Sequence, residues 1–379
     1  MKRLTAALLC AALLLCPAGA AGQTAGAPQV DAKAAVLMEQ ETGQVLCQQN
    51  AHDKLESASV TKIMTMLLVM EAMDSGQLSA DDPVTVSTRA ASMGGSQVYL
   101  KEGEQMTAGD LLKAVAVVSG NDAAVALAEH IAGSEEAFVS RMNQKAAELG
   151  MSDTTFLNCT GLPAAGHLTS AYDIALMSRA LLSYPEIQNY TTIWMDSIRD
   201  GQFQLSNTNR LVRFYPGCTG LKTGSTDAAG YCLSASATRD GLSLIAVVLG
   251  SDTSAKRFDA AEALLNFGFA NYTLVDALTG LALPPVEVLL GKDRWVQPLA
   301  QNSGKVLVAR SDLERISTQL RLAENVEAPV EEGQILGEVT VLLDGEPYAS
   351  ISLIAETAVE RLSIPGVFRR LMELLFMAG

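Results

Sequence analysis

The chain has 379 residues, of which 49% are hydrophobic and 18% are charged, so an intrinsically disordered protein is excluded. Its 42 acidic residues outnumber 27 Lys and Arg, which gives a net charge of −15 and argues against binding to nucleic-acid phosphates. The 3 histidines, without a Cys/His cluster at ligand spacing, argue against a structural zinc module. We therefore expect a globular enzyme with about two or three domains.

The first 20 residues have the pattern of a secretory signal peptide. Lys2 and Arg3 form a basic start, residues 4–15 are apolar, and residues 18–20 (AGA) form a small-residue cleavage site. The apolar stretch is too short to cross a membrane, and a buried N-terminal helix is the alternative. We predict an exported protein that keeps four cysteines, whose disulfide state the sequence leaves open: Cys47, Cys159, Cys218 and Cys232.

Residues 33–275 have the pattern of a domain that mixes helices and strands. Apolar runs at 34–38 and 44–47, on either side of a polar turn, predict a β-hairpin. Ser57 is the predicted cap of a helix that runs to Asp74, and this helix should be buried because its centre is apolar nearly all round. Periodic and alternating patterns predict further elements: helices 108–118, 122–132, 136–149, 171–182 and 260–269, and strands 231–237 and 242–249.

The C-terminal part of the chain has a different texture. Residues 276–357 are short alternating runs separated by turn residues, which predict a small all-β domain. Residues 363–379 predict an amphipathic helix with this apolar arc: Val367, Phe368, Leu371, Met372, Leu374 and Leu375. Either this helix docks on its own domain, or it lies in the interface of a membrane.

Ser59-Val60-Thr61-Lys62 lies at the start of the predicted buried helix. Positions i and i+3 share a helical face, so the Lys62 amine can reach the Ser59 hydroxyl. Serine becomes a nucleophile when a base takes its proton, and lysine can be that base when burial keeps it neutral. The helix N-terminus adds positive potential where an oxyanion would form. Taken alone, the pattern more often marks a helix cap with a solvated lysine.

Two further polar motifs follow in the chain. Ser119-Gly120-Asn121 lies in a break between predicted helices, where a hydroxyl can relay a proton and an amide can hold a lysine or a substrate. Lys222-Thr223-Gly224 precedes the late strands, where a cation and a hydroxyl suit an anionic peptide end and the glycine lets backbone approach backbone. Each motif alone is equally a helix cap or a turn.

The three motifs in this order resemble the signature of penicillin-binding proteins and serine β-lactamases. Their surroundings resemble the D-alanyl-D-alanine carboxypeptidases, the low-molecular-weight penicillin-binding proteins, and the likeness extends over residues 33–275. It implies an α/β (α+β) catalytic domain with an antiparallel sheet flanked by helices and an all-helical subdomain. The small β domain and the amphipathic tail also occur in that family, which implies that residues 363–379 attach the protein to the outer leaflet of the cytoplasmic membrane.

The resemblance also implies a mechanism. Ser59 would attack the carbonyl between the two D-alanines that end a peptidoglycan stem peptide, with Lys62 as base. Ser119 would carry a proton to the leaving amine, and Asn121 would orient its neighbours. In the third motif, which includes Gly224, Lys222 would supply positive field and Thr223 would bind the terminal carboxylate. The backbone N–H groups of Ser59 and Ser225 would form the oxyanion hole. β-Lactam antibiotics would acylate the same serine, and no metal or organic cofactor is implied.

Two residues depart from the family pattern. Ser57 stands where the family often has a proline, two residues before the nucleophile. Ser243 stands where many relatives have an arginine that helps to hold the substrate carboxylate. We expect weaker substrate binding unless Arg239 or another cation replaces that arginine.

Three other functions are weighed against this one. A serine β-lactamase shares the nucleophile, but the E-x-x-L-N pattern at 262–266 follows Lys222 instead of preceding it. A Ser-His-Asp hydrolase would need a G-x-S-x-G motif, and neither His130 nor His167 has a partner motif. A penicillin-binding wall protein with little turnover would keep the fold and release no D-alanine.

Overall fold

The structure, a computed structural model, describes residues 26–377 of the chain. The predicted signal peptide lies outside the described residues, as do residues 21–25 and 378–379. The described α-helices are α1 Lys62–Asp74, α2 Thr88–Ala91, α3 Ala108–Val118, α4 Asn121–Ala132, α5 Glu135–Glu148, α6 Ala171–Leu182, α7 Gln188–Thr191, α8 Leu211–Phe214, α9 Ser254–Asn271 and α10 Ile364–Met377. The strands of the first domain are β1 Ala34–Glu39, β2 Val45–Gln49, β3 Pro83–Thr85, β4 Gln105–Thr107, β5 Met195–Ile198, β6 Phe203–Ser206, β7 Cys218–Thr226, β8 Gly230–Arg239 and β9 Leu242–Ser251.

A five-stranded antiparallel sheet in the order β2-β1-β9-β8-β7 forms the centre of the first domain. All of β1 is buried, because its alternate side chains point into two different apolar cores. Val36 and Met38 pack in the core shared with α1, α3, α4 and α6, whereas Ala35 and Leu37 face α9. The predicted hairpin is therefore confirmed as β1 and β2, and β7 is left as an edge of the sheet.

The helices on one face of the sheet include the predicted central helix. Every residue of α1 from Lys62 to Met70 is buried, which agrees with its uniformly apolar sequence. The predicted helices 108–118 and 171–182 have the observed bounds of α3 and α6. α9 begins at Ser254, earlier than predicted, because the Thr253 side chain caps it by accepting a hydrogen bond from the Lys256 backbone N–H.

The predicted capping role of Ser57 is wrong. The chain enters this region through a short 3-10 turn, Ala58–Thr61, and α1 begins only at Lys62. Ser57 has φ −110° and ψ 0°, which is not the extended backbone of a capping residue, and its side chain makes no capping hydrogen bond. Its hydroxyl lies instead 3.3 Å from the Thr61 hydroxyl. Ser59 is therefore in a tight turn ahead of the helix rather than in its first α-helical turn.

A second, β-rich domain follows α9. Its strands are β10 Tyr272–Asp276, β11 Val286–Leu289, β12 Trp295–Val296, β13 Pro298–Ala300, β14 Lys305–Ala309, β15 Ile316–Leu322, β16 Asn325–Glu327, β17 Ile335–Leu343 and β18 Glu346–Ala355. They form a four-stranded sheet, β13-β18-β17-β15, a three-stranded sheet, β12-β11-β16, and the pair β10-β14. An ion pair of 3.2 Å between Lys305 and Glu41 joins the two domains. The all-β character predicted for this part of the chain is confirmed, whereas the domain limits stay predictions.

α10 ends the described chain, and Ile364, Phe368, Met372 and Phe376 along it are exposed. Within residues 26–377, no helix has the length and apolar character needed to span a membrane. The fold class expected from the sequence is confirmed: a helix-flanked antiparallel sheet with a helical layer, followed by a small β domain.

Candidate active site

Ser59 sits in the 3-10 turn where two other segments press against the chain. Ala58, just before it, has φ +48°. A Cβ at Gly161 would come within 1.9 Å of the Ala58 carbonyl oxygen, and a Cβ at Gly224 within 2.8 Å of the Ser59 backbone nitrogen. Only glycine fits at these two contacts, so the turn is clamped between the loop around Gly161 and strand β7. Ser59 itself is half-buried, which leaves one side open to a substrate.

The Lys62 amine is fully buried and faces three oxygen acceptors. Nζ lies 2.9 Å from Ser59 Oγ, 2.6 Å from Asn121 Oδ1 and 2.7 Å from the Thr160 carbonyl oxygen. Burial lowers the pKa of Lys62 from its ordinary value to about 7. In the neutral form, two N–H groups serve Asn121 and Thr160, and the lone pair is left for the proton of Ser59. The arrangement can therefore activate a serine near neutral pH.

Asn121 holds the amine in place and is itself held by a surface loop. Its Nδ2 donates to the Gly94 carbonyl at 2.7 Å, which fixes the orientation of the amide so that Oδ1 points at Lys62. Its backbone N–H donates to the Ser96 carbonyl at 2.7 Å. The side chain therefore joins the second motif to the first by direct contact.

The loop at 94–104 is fastened from two sides by charged residues that the sequence did not single out. The buried Asp122 carboxylate accepts backbone N–H groups of Val98 and Leu100 at about 3.0 Å. From the β5–β6 hairpin, Arg199 donates to the Val98 carbonyl at 2.8 Å and pairs with Glu104 at 2.7 Å. Asp122 adjoins the second motif and could have been suspected, whereas Arg199 carries no sequence signal because its partner is nearly a hundred positions away.

The third acceptor of the lysine amine comes from a loop that sequence reasoning did not connect with the site. Asn158 Oδ1 accepts N–H groups of Thr160 and Gly161 at 3.1 and 2.7 Å, which folds the loop into a tight turn. Thr65 Oγ1 donates to the Cys159 carbonyl at 2.6 Å and ties that turn to α1. The Thr160 carbonyl is thereby aimed at the amine, a backbone role that no side-chain motif could reveal.

His167 supports the same region as a neutral residue. Its Nδ1 accepts the Leu157 N–H at 3.1 Å, so Nε2 carries the proton and donates to Thr61 Oγ1 at 2.9 Å. Burial lowers the pKa of His167 to about 4, which keeps it uncharged at neutral pH. It fixes the loop to the nucleophile turn, and because its two ring nitrogens are engaged with the Leu157 N–H and Thr61 Oγ1, it does not support a Ser-His-Asp mechanism.

Ser119 brings an unused hydroxyl into the site. It has φ +66° and ends α3, two residues before Asn121. Its Oγ is buried and has no hydrogen-bond partner in the part of the chain that the structure describes. A buried hydroxyl without a partner is rare, because its desolvation costs about 1–3 kcal/mol. This hydroxyl, two residues before Asn121, is available to a substrate atom.

The third motif lies on the edge strand β7. Lys222 and Thr223 are both buried; Lys222 Nζ donates to the Thr223 carbonyl at 2.9 Å, and Thr223 Oγ1 donates to Thr208 Oγ1 at 2.7 Å. Gly224 packs on the nucleophile turn, and Ser225 is exposed just beyond it. All three motifs predicted from the sequence are thus gathered around Ser59.

The pKa of Lys222 on this strand depends on basic side chains from neighbouring elements. Burial, with the nearby charges of Lys62 and Arg257, lowers the pKa of Lys222 well below its ordinary value. Arg257, in the first turn of α9, is buried and donates from Nη1 to the carbonyls of Gly224 and Cys232 at 3.1 and 3.3 Å. Sequence reasoning missed Arg257, and it is a cation next to the third motif.

Ser243, which stands where many relatives have an arginine, and Arg239, the cation suggested to replace it, both lie away from the third motif. Ser243 pairs with Thr238, and its hydroxyl lies 2.8 Å from the Thr238 hydroxyl at the far end of β9. Arg239 donates to the Pro216 carbonyl and stacks on Tyr215, also away from the third motif. Another cation, Arg257, does lie beside β7, and the weaker substrate binding expected from Ser243 stays a prediction.

Comparison with known proteins finds similar proteins for both domains of the chain. Residues 21–253 match the family described as D-alanyl-D-alanine carboxypeptidase, and residues 280–361 match the C-terminal domain of penicillin-binding protein 5. The D-alanyl-D-alanine carboxypeptidase DacF of Bacillus subtilis is 41% identical over 98% of both chains.

Solved structures with the same fold extend this similarity. Penicillin-binding protein 5 from Haemophilus influenzae superposes with a TM-score of 0.77 at 31% identity, covering 90% of this chain and all of the other. Penicillin-binding protein D2 from Listeria monocytogenes, in its ampicillin-bound form, is 35% identical with a TM-score of 0.59 over 64% of this chain and 98% of its own.

Gly224→Ala tests the contact between β7 and the nucleophile turn. The added methyl would come within 2.9 Å of backbone atoms of Ser57, Ser59 and Val60, so strand and turn must separate. Overpacking of this kind costs about 1–3 kcal/mol, and we expect a fall in the Tm of roughly 2–10 °C. Gly94→Ala is the matched control, since a Cβ there meets nothing within 4 Å. Equal Tm values for the two variants would contradict the clamp.

Proposed function

The chain belongs to the D-alanyl-D-alanine carboxypeptidase family of serine peptidases, and from this premise we propose how its residues divide the reaction. It is a penicillin-binding hydrolase of the bacterial cell wall that removes the terminal D-alanine from peptidoglycan stem peptides. The assignment of roles depends chiefly on one observation: the buried Lys62 amine, with its pKa near 7, lies 2.9 Å from Ser59 Oγ.

In the proposed first step Ser59 Oγ attacks the carbonyl carbon between the two D-alanines while neutral Lys62 takes its proton. The negative charge that develops on the carbonyl oxygen meets the backbone N–H groups of Ser59 and Ser225. The close approach of Gly224 to the Ser59 nitrogen supports this pairing, because it places the next residue of β7 beside the nucleophile turn.

The leaving D-alanine needs a proton on its nitrogen and a partner for its carboxylate. The Ser119 hydroxyl is suited to give its proton to that nitrogen and to take one from protonated Lys62 in return. The C–N bond breaks, the peptide is left as an ester on Ser59, and Lys62 is neutral again. Thr223 and the cations Lys222 and Arg257 are suited to the carboxylate, whose negative charge would favour the protonated form of Lys222. Water then attacks the ester while Lys62 takes its proton, and Lys62 returns that proton to Ser59 Oγ as the shortened peptide leaves.

A β-lactam would enter the same step in place of the D-alanine dipeptide. The structural relative from Listeria is described in ampicillin- and cefotaxime-bound forms, which supports acylation of Ser59 by such compounds. A β-lactamase role finds no support, because Asn266 of the 262–266 pattern lies on α9, on the other face of the sheet, where it accepts a hydrogen bond from the Tyr215 hydroxyl.

The rate of acylation should depend on pH through Lys62. The amine is a base only when it is unprotonated, so the active fraction increases as pH rises through about 7. We expect the second-order rate constant for acylation by a fluorescent penicillin to rise about tenfold from about pH 6 to pH 8 and then level off.

Lys62→Gln should reduce D-alanine release from a D-Ala-D-Ala peptide by about 100-fold or more, whereas the exposed Lys54→Gln should not change it. A flat pH profile, or full activity of Lys62→Gln, would contradict the role of the amine.

Arg257 should matter for substrates that end in a free carboxylate. We expect Arg257→Gln to lower kcat/KM about tenfold for a D-Ala-D-Ala peptide, and to have a smaller effect on the same peptide with an amidated C-terminus. Ser243→Ala, at the far end of β9, is the control and should leave both values unchanged. Equal losses on the two peptides would show that Arg257 only supports the strand.

We further propose that the protein is exported and held at the outer surface of the cytoplasmic membrane. The pattern of residues 1–20 supports export. The exposed Ile364, Phe368, Met372 and Phe376 follow one another at four-residue intervals, which produces an apolar stripe along α10. A helix of 14 residues is about 21 Å long, so it would lie in the membrane interface instead of crossing the bilayer.

Fractionation of the producing cell tests this location. The mature chain should begin after residue 20 by mass spectrometry and sediment with membranes. Phe368→Glu combined with Phe376→Glu should release it, whereas Leu313→Glu, an exposed leucine of the β domain, should not. An uncleaved N-terminus, or membrane binding that survives the double substitution, would contradict the proposal.

A further inference from the structure

A group of large apolar side chains is exposed at one end of the β domain, outside α10. Leu289, Leu290 and Trp295 are 43%, 47% and 50% exposed, and they surround the turn of the β11–β12 hairpin. Their neighbours Val288 and Val296 face inward and form the core of the three-stranded sheet. Alternation along the strands therefore sends Leu289 and Trp295 to the outer face.

Leu290 has an unfavourable backbone conformation for a leucine. It has φ +58°, a left-handed conformation that costs a leucine about 1 kcal/mol and suits glycine or asparagine. Folding alone gives no reason for a half-exposed leucine at this turn.

The hairpin turn is fastened directly to the segment that leads into α10. The Leu290 carbonyl accepts the Leu362 N–H at 2.8 Å, and the Lys292 N–H donates to the Glu360 carbonyl at 2.8 Å. Leu362 is two residues before Ile364, the first residue of α10, which is 87% exposed. The apolar turn and the start of the apolar stripe on α10 are therefore parts of one surface.

Most of the charges around this turn are neutralised, and Asp293, between Lys292 and Arg294, is exposed. Lys292 pairs with Glu360, Arg294 pairs with Glu287 at 3.1 Å, and Arg361 pairs with Glu327 at 2.6 Å: three ion pairs of opposite sign. The surface therefore offers no surplus of positive charge to attract anionic lipids. What it does offer is apolar area with a tryptophan, the combination typical of the membrane interface.

We infer that the β11–β12 turn enters the membrane interface together with α10, so that the protein contacts lipid through two elements. This inference rests on the proposed attachment through α10. Continuity of the turn with α10 identifies the lipid surface, not another protein, as its occupant. A second fixed point would also set the orientation of the β domain on the membrane, which a single helix joined by one chain segment would not.

The two tryptophans of the chain allow a direct test with the mature full-length protein. In the Trp194→Phe variant only Trp295 remains, and in Trp295→Phe only Trp194, which lies in the first domain. Vesicles of equal parts phosphatidylcholine and phosphatidylglycerol, with and without brominated acyl chains, report contact with the lipid. Trp295 emission should shift to the blue and be quenched by the brominated lipid, while Trp194 emission should not change.

A binding measurement complements the fluorescence. Leu290→Asn fits the left-handed backbone and should therefore fold, and we expect it to weaken vesicle binding about threefold to tenfold through the loss of one apolar side chain. Leu313→Asn removes an equally exposed leucine, 42%, elsewhere in the β domain, and should bind as the unmodified protein does.

The failures of the two proposals can be told apart. If the protein binds vesicles but Trp295 is not quenched and Leu290→Asn binds normally, the hairpin inference is overturned and the attachment through α10 stands. If the unmodified protein does not bind vesicles, both are overturned. If Leu290→Asn changes self-association in sedimentation and leaves vesicle binding intact, the turn is a protein contact and the inference fails.

Discussion

The burial of one lysine amine governs the architecture of the active site. Burying an amine costs desolvation free energy unless the amine makes hydrogen bonds inside the protein. The Lys62 amine lies within hydrogen-bond distance of three oxygen atoms. None of the three acceptors is a carboxylate, so burial lowers the pKa of Lys62 to about 7 and the free base is available. Because the acceptors belong to three separate segments, the catalytic base exists only when those segments are packed together.

Much of the surrounding structure serves to keep those acceptors in place. The Asn121 amide is fixed by the Gly94 carbonyl, whose loop is in turn tied down by Asp122 and Arg199. The Thr160 carbonyl depends on an Asn158 turn that is fastened to α1. The two glycines that press on the nucleophile turn allow a close approach that any side chain would prevent. Substitutions well away from Ser59 can therefore impair the reaction by shifting the base and not by changing the nucleophile.

The β domain and α10 together carry an exposed apolar surface. The apolar stripe on α10 and the exposed β11–β12 turn are both unfavourable in water, and contact with lipid would relieve both. Since hydrogen bonds join the turn to the segment before α10, the surface acts as a unit. On the proposal that this surface binds lipid, the enzyme would meet its polymeric substrate from a restricted set of orientations.

The sequence by itself determined the elements and the chemistry. Uniform apolar composition indicated that α1 is central and buried, and alternating runs indicated the strands. The order of the motifs at Ser59, Ser119 and Lys222 resembled the signature of a known family, and that resemblance implied the reaction. These features are local, or are residue types at fixed intervals, so they can be read without coordinates. The tertiary structure alone decided what depends on distant segments meeting: the Thr160 carbonyl on the lysine amine, Arg257 beside β7, and Arg199 across the loop. It also overturned the predicted capping role of Ser57. The backbone of Ser57 is set by the packing of Gly161 and Gly224 on the following turn rather than by its own capping preference. A contact between residues a hundred positions apart leaves no pattern in either segment, and for that reason packing, not sequence, settles it.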